Sequence, residues 1–146
     1  MDFATIIGHS LITFNNNYFI LYMEQKLGYK GGYGLELIID MKGCDLSDLS
    51  KEKLATFFIQ LADKIKMVRH GDPIYWEDHS NIPHLRGISA IQFIETSNFV
   101  CHPLPILKAV YLNIFSCKEF DTDDALKFCM KYWDATSENH TVVART

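Results

Sequence analysis

The sequence lacks a basic excess, a disulfide pattern and a long apolar run, and each absence excludes a class of protein. Its 146 residues carry a net charge of −4, which argues against nucleic acid or an anionic membrane as the main partner. The four cysteines include no Cys-x-x-Cys pair, which indicates reduced thiols in a cytoplasmic protein. No apolar stretch reaches about 18 residues, so no membrane span is expected. The opening Met1-Asp2-Phe3 lacks the basic region of a secretory signal.

Familiar catalytic motifs are also missing. The glycines between Gly28 and Gly34 match neither a P-loop nor GxGxxG, and they are typical of a flexible connector. No GxSxG is present, which removes the support for a hydrolase elbow. Four polar residues could hold a metal, but no HxxxH or HExxH spacing fixes a geometry, so we interpret them as a polar loop and expect no metal site. They are His70, Asp78, His79 and His84.

What is present is the composition of one folded domain, with 48% hydrophobic and 22% charged residues. Residues 1–30 are apolar and aromatic, and we interpret them as an N-terminal extension to a domain over residues 31–146. Within the extension, residues 18–23 could form a helix or an edge strand, because a short apolar run does not distinguish the two.

Hydrophobic periodicity predicts the elements of the domain. Alternation over residues 33–41 predicts a strand with one apolar face, and a helical stripe over residues 51–67 predicts an amphipathic helix capped by Asp45, Ser47 or Ser50. Asp121 is the expected N-cap of a second helix. The remaining predicted strands cover residues 74–76, 88–95, 98–102, 108–117 and 140–145, with a tight bend at residues 96–98.

These elements predict an α+β two-layer sandwich, with a mainly antiparallel sheet covered by two helices on one face. The other sheet face also carries apolar side chains, which are costly to expose. A second copy of the chain is the simplest cover, so we expect a homodimer.

Small polar residues recur in the β-rich segment over residues 87–117. Ser89, Ser97, His102 and Cys117 are its candidate functional residues. Buried serine and cysteine are common core residues, so the residue types alone indicate little.

In this segment the chain resembles the prokaryotic S-adenosylmethionine decarboxylases, which are self-cleaving pyruvoyl enzymes. The family pattern is G-x-S-G, then E-S-H-x-x-x-H-T-W-P-E, then F-T-C. It lies without a gap over Gly87-Ile88-Ser89, Thr96-Ser97-Asn98 with His102, and Phe115-Ser116-Cys117. The first strand of the family carries an acid four residues before Cys-Asp, as Asp40 precedes Cys44-Asp45 here. The resemblance spans roughly residues 34–145.

The resemblance implies a mechanism. The Ser97 hydroxyl would attack the carbonyl of residue 96 at a strained bend, and β-elimination would then leave a pyruvoyl group at the start of residues 97–146. This group would form a Schiff base with the substrate amine and accept electrons as CO₂ leaves. His102 resembles the processing acid/base, Ser89 its partner, and Cys117 the thiol that protonates the carbanion. The implied function is decarboxylation of S-adenosylmethionine in polyamine (spermidine) biosynthesis.

The chain departs from the pattern beside the cleavage serine, where Thr96 replaces Glu and Asn98 replaces His, and more strongly in the substrate pocket. Pro83 and Leu104 stand where aromatic residues are expected, so Trp76, with Tyr75 beside it, could stack on the purine. Glu36 or Asp40 could bind the ribose or the cationic end of a basic amino acid. Two alternatives therefore stay open: a pyruvoyl decarboxylase of arginine or ornithine, and an unprocessed family member that acts as a binding protein.

Overall fold

The structure, a computed structural model, describes residues 32–146, and the predictions for residues 1–30 lie outside the described residues. The described chain contains six strands and two helices in the order β1-α1-β2-β3-β4-β5-α2-β6. The strands are β1 (Gly34–Lys42), β2 (Ile74–Asp78), β3 (Gly87–Ile94), β4 (Ser97–Leu104), β5 (Ala109–Ser116) and β6 (Ser137–Arg145), and the helices are α1 (Lys51–Lys64) and α2 (Thr122–Tyr132).

The strands form one antiparallel sheet in the order β2-β3-β4-β5-β1-β6. The alternation that predicts β1 determines which face is buried: Leu35, Leu37, Ile39 and Met41 are fully buried, whereas the residues between them are half-buried. The predicted α+β sandwich, with an antiparallel sheet and helices on one face, is confirmed.

Both helices begin at side-chain caps. The Ser50 hydroxyl accepts a hydrogen bond from the Lys53 N–H at 3.1 Å, and the Asp121 carboxylate accepts one from the Asp124 N–H at 2.8 Å. Helix α1 ends at Lys64, earlier than predicted, because Lys66 adopts a left-handed φ of 57°.

The helices pack over the sheet through an aromatic cluster. Phe57 of α1 lies 5.1 Å from the Trp133 ring, and Phe58 lies 6.2 Å from Phe99 of β4, measured between ring centroids. We call the sheet side that the helices cover the covered face and the opposite side the open face.

The hairpin between β3 and β4 turns earlier than predicted. Ile94 pairs with Ser97, so the two-residue loop is Glu95-Thr96, whereas the bend was expected at residues 96–98. Two-residue hairpins usually place a positive φ on a loop residue. Here neither loop residue has one, and the positive φ falls on Ser97, at 158°, close to extended backbone.

The open face carries a strip of apolar side chains at its β2–β3 end. The strip consists of Ile74, Trp76, Ile91 and Phe93, all of which are exposed, Trp76 at 73%. A contiguous apolar surface of this kind is typical of an interaction site.

Candidate active site

Ser89 and His102 form a hydrogen-bonded pair on the open face. The Ser89 Oγ lies 2.5 Å from the His102 Nδ1, and both residues are half-buried. When the hydroxyl donates to Nδ1, the ring carries its proton on Nε2, which points away from Ser89. The pair can therefore exchange protons with a ligand through Nε2.

Gly87, two residues before Ser89, lies where β3 and β4 approach too closely for a side chain. A Cβ at Gly87 would collide with the backbone carbonyl oxygen of Pro103, the residue after His102. The missing side chain lets the ends of β3 and β4 approach closely, which keeps Ser89 and His102 within hydrogen-bond reach.

A transverse row of side chains extends from the Ser89–His102 pair across four neighbouring strand pairs. Trp76 lies opposite Ser89, Tyr111 lies opposite His102, and Asp40 lies opposite Tyr111. Directly opposite residues share a face, so the row spans about 19 Å of the open face at the usual strand spacing of about 4.8 Å.

Two charged side chains lie at the β1 end of the row: Lys42, beside the row, which binds Tyr111, and Asp40, within the row. The Lys42 ammonium donates to the Tyr111 hydroxyl and lies 4.3 Å from the centre of its ring. The Asp40 carboxylate, half-buried, has no hydrogen-bond or ion-pair partner among residues 32–146. It is therefore the available acidic group in the row.

A second group of candidate residues lies at the other end of β4. The Cys117 backbone N–H donates to the Thr96 carbonyl oxygen at 2.9 Å, which brings the end of β5 beside the Thr96–Ser97 peptide bond. Ser97 also pairs directly with Ser116. We call Thr96, Ser97, Ser116 and Cys117 the hairpin-end cluster.

Gly34 makes room for the hairpin-end cluster. A Cβ at this position would collide with the Ser116 carbonyl oxygen and with the Cα of Cys117. Strand β1 can therefore run directly against the end of β5 because residue 34 has no side chain.

Glu36 lies on the open face near this cluster, with both carboxylate oxygens in use. Its Oε1 accepts from the Asn113 side-chain amide at 2.8 Å, and its Oε2 accepts from the Arg145 guanidinium at 2.7 Å. The guanidinium also lies 4.6 Å from the Phe115 ring centre. Of the two acids predicted to bind substrate, Asp40 is the one with a carboxylate free of such partners.

The structure brings some of the predicted residues together and separates others. Ser89 and His102 meet, and Cys117 meets the Thr96–Ser97 bond. Ser97 and His102, however, are five residues apart on β4, which is about 17 Å along a strand. Alternation also gives them opposite faces, with Ser97 on the side of Phe99 and Cys101. One chain therefore holds two separate halves of the expected site.

Tyr75 belongs to neither half. Its hydroxyl donates to the Lys51 carbonyl of α1 at 3.1 Å, so the side chain lies toward the covered face. Period-2 alternation gives Tyr75 and Trp76 opposite faces, which removes Tyr75 as a partner of Trp76 in stacking.

The four thiols differ in access to solvent. Cys117 is exposed, whereas Cys44, Cys101 and Cys129 are buried. Burial raises the pKa of the Cys101 and Cys129 thiols well above the ordinary range and also raises the pKa of Cys44. Thiol chemistry is therefore available mainly at the hairpin-end cluster.

The part of the chain that the structure describes contains neither a metal-binding cluster nor a membrane-spanning helix. Over residues 32–146, no three His, Cys, Asp or Glu side chains come together as a metal site would require. In the same part of the chain, no helix has the length and apolar character needed to cross a membrane.

Comparison with known proteins finds one matching family and a solved structure with a similar fold. A profile of the S-adenosylmethionine decarboxylase family matches residues 35–146. Among solved structures, the chain is similar to the crystal structure of the adenosylmethionine decarboxylase from Aquifex aeolicus VF5, with a TM-score of 0.63 and 13% sequence identity. The similarity covers 76% of this chain and 88% of that chain, and at this identity it concerns the fold alone. None of the curated proteins matches the chain.

Proposed function

This chain belongs to the S-adenosylmethionine decarboxylase family, and from that premise we propose that it is a self-cleaving, pyruvoyl-dependent decarboxylase of polyamine biosynthesis. The proposed cleavage lies between Thr96 and Ser97, and the proposed substrate is S-adenosylmethionine. Ser97, His102, Cys117 and Ser89 are the proposed catalytic and processing residues.

The observation that carries the proposal is the hydrogen bond from the Cys117 N–H to the Thr96 carbonyl oxygen, at 2.9 Å. It polarises the carbonyl that a Ser97 hydroxyl must attack, in a tight hairpin where the serine follows directly. The same bond brings an exposed thiol beside the future N-terminus. The residues at this bond therefore fit the precursor of a pyruvoyl group.

Once formed, a pyruvoyl group supplies a ketone that condenses with an amine and a conjugated carbonyl that accepts electrons during loss of CO₂. The chain's own residues then supply proton transfers. Cys117 delivers a proton from its exposed thiol at the hairpin end. His102 takes up or releases a proton at Nε2, while Ser89 holds Nδ1.

The separation of the two halves supports a homodimer with shared sites. Within one chain, His102 lies about 17 Å from Ser97 along β4, and its partner Ser89 lies beside it on β3. The pair is therefore well beyond hydrogen-bond reach of the Thr96–Ser97 bond. A second copy packed on the open face could bring its own Ser89–His102 pair to this bond. The exposed strip of Ile74, Trp76, Ile91 and Phe93 gives such an interface an apolar part.

Substrate recognition follows from the transverse row. Trp76, exposed beside Ser89, offers a flat surface for the purine, and Asp40 offers an unpartnered carboxylate for ribose hydroxyls. The same carboxylate would suit the cationic end of arginine or ornithine. Glu36 is a weaker candidate, because Asn113 and Arg145 already use its oxygens.

Denaturing mass spectrometry of the purified full chain tests the proposal. Wild-type protein is expected as two fragments, residues 1–96 and a pyruvoyl-blocked fragment of residues 97–146, and Ser97→Ala is expected as one intact chain. Thr141→Val on β6 serves as the control and should cleave like wild type. Wild-type protein that stays intact after prolonged incubation would contradict self-cleavage and favour a binding protein.

Assays of CO₂ release from S-adenosylmethionine, arginine and ornithine then test the substrate. Turnover of arginine or ornithine alone would contradict the proposed substrate while leaving the cleavage chemistry intact. Sedimentation is expected to give twice the chain mass of 16.8 kDa, and a purely monomeric species at micromolar concentration would contradict the shared site.

A further inference from the structure

A series of hydrogen bonds through the hydroxyl groups of Ser116 and Thr96 lies next to the Thr96–Ser97 bond. The Lys118 N–H donates to the Ser116 Oγ at 3.0 Å, and the Ser116 hydroxyl donates to the Thr96 Oγ1 at 2.9 Å. The Thr96 hydroxyl in turn donates to the Met67 Sδ at 3.4 Å. Ser116 is fully buried, so water does not compete for its hydroxyl.

These hydrogen bonds hold the side chain of Thr96, and a separate hydrogen bond holds its backbone. Threonine is stiff at χ1, so two hydrogen bonds to Oγ1 restrict the residue to one rotamer. The Cys117 N–H holds the carbonyl oxygen of the same residue at 2.9 Å. Both anchors come from the end of β5, and together they fix the orientation of the carbonyl that precedes Ser97.

We propose that Thr96 and Ser116 are positioning residues for self-cleavage, which hold the carbonyl that the Cys117 N–H polarises in place for attack by the Ser97 hydroxyl. The inference rests on the proposed function and extends it to the groups that hold the acyl side of the bond.

The step is an isomerisation. The Ser97 Oγ forms a bond to the carbonyl carbon of Thr96, and negative charge collects on the oxygen that faces the Cys117 N–H. The C–N bond then breaks, and the proton lost from the Ser97 hydroxyl ends on the Ser97 nitrogen. The product is an ester with a free amine, and no oxidant, reductant or other co-reactant is required.

The test compares variants that remove a hydroxyl with variants that keep it. Thr96→Val preserves the branched shape and should slow the appearance of the residue 97–146 fragment about tenfold, whereas Thr96→Ser should stay within about threefold of wild type. Ser116→Ala should behave like Thr96→Val, and Ser116→Thr should rescue it. Thr141→Val, which removes a hydroxyl from an exposed site on β6, should cleave at the wild-type rate.

Hydroxylamine separates the isomerisation, in which Thr96 is proposed to act, from the elimination that follows it. It cleaves the ester and leaves a hydroxamate on Thr96, so it reports the isomerisation without the later elimination. With Thr96→Val, hydroxylamine-dependent cleavage measured on folded protein should fall by the same factor as spontaneous cleavage. Unchanged hydroxylamine cleavage would overturn the proposal, because the defect would then lie in the elimination.

Two further outcomes separate this inference from the proposed function. If Thr96→Val and Ser116→Ala both cleave at the wild-type rate, the positioning role is overturned while the proposed function stands. Equal losses in Thr96→Ser and Thr96→Val would overturn it too, since keeping the hydroxyl would then give no advantage over losing it. Wild-type protein that never cleaves, with or without hydroxylamine, would contradict the proposed function and this inference with it.

Discussion

The two ends of β4 are built in similar ways and offer different chemistry. At the end that holds His102, Gly87 lets β3 approach, and a hydroxyl–imidazole pair faces the open side of the sheet. At the end that holds Ser97, Gly34 lets β1 approach the end of the neighbouring strand β5, and the hydroxyl groups of Thr96 and Ser116 lie beside a polarised peptide carbonyl. One end offers proton transfer, and the other offers a nucleophile with an electrophile.

The difference means that the proposed self-cleavage needs groups from both ends. Ser97 has a carbonyl to attack, but His102 of the same chain lies about 17 Å away along β4. His102 has a hydrogen-bond partner in Ser89 but no bond to cleave beside it. The proposed homodimer would join the two ends from different chains, and it would give the open face a catalytic role in addition to an apolar interface.

Loss of the proton-transfer end should have the largest effect. His102→Ala is expected to reduce decarboxylation, or the cleavage that precedes it, by about 10²–10⁴-fold, the usual contribution of a positioned acid or base. His140→Ala on β6 removes an exposed imidazole and is the control. Comparable loss in both variants, or none in His102→Ala, would show that the two ends are not functionally distinct.

Gly34→Ala should disturb the hairpin end while leaving the Ser89–His102 pair unchanged. The added Cβ meets backbone atoms of Ser116 and Cys117, which cannot move like a flexible side chain. Overpacking of this kind costs roughly 1–3 kcal/mol, so the free energy of unfolding in urea should fall by about that amount. Thr141→Ala, an exposed change on β6, should have little effect. An unaltered unfolding curve for Gly34→Ala would contradict the close approach.

Trp76→Ala tests substrate binding at the His102 end. Stacking of a base on an aromatic ring is worth roughly 1–3 kcal/mol, so KM for S-adenosylmethionine should rise about tenfold with little change in kcat. Tyr33→Ala removes an aromatic side chain exposed at the other end of the sheet and should leave KM unchanged. Strong turnover by Trp76→Ala with wild-type KM would refute the stacking role.

Thiol modification of the folded protein should be fastest at Cys117, which lies at the hairpin end of β4. An alkylating reagent should label Cys117 first, because burial raises the pKa of Cys44, Cys101 and Cys129 and keeps them from solvent. Peptide mass spectrometry during labelling measures the order. Early labelling of Cys129, or full turnover by Cys117→Ala, would contradict a functional thiol at the hairpin end.

The sequence allowed most elements of the fold to be predicted, because alternation in β1 and the caps Ser50 and Asp121 are local signals. The sequence predicts the β3–β4 bend at residues 96–98, after its true position, because Glu95-Thr96 contains no Gly, Asn or Pro to mark a turn. This shift determines which residues face each other across the hairpin, including Ser89 and His102.

The candidate site was predictable as a set of residues but not as an arrangement. Spacing in the chain identifies Ser89, Ser97, His102 and Cys117 as a set. The separation of Ser97 from His102 follows only once both residues are placed on the same strand, β4. The Cys117 N–H has no sequence signal, because every residue except proline carries this donor. The Thr96–Ser116 contact depends on the pairing of β4 with β5, which joins residues distant in sequence.

A mixing experiment tests most directly whether the two ends of β4 act together across two chains. Ser97→Ala and His102→Ala chains are each expected to stay intact alone, since each lacks one half of the site. When they are co-expressed, the Ser97→Ala chain should supply its histidine, and the His102→Ala chain alone should be cut between Thr96 and Ser97. Intact mass spectrometry distinguishes the fragments by the mass of each substitution. Mixed dimers, verified by native mass spectrometry, in which neither chain is cut would contradict the shared site.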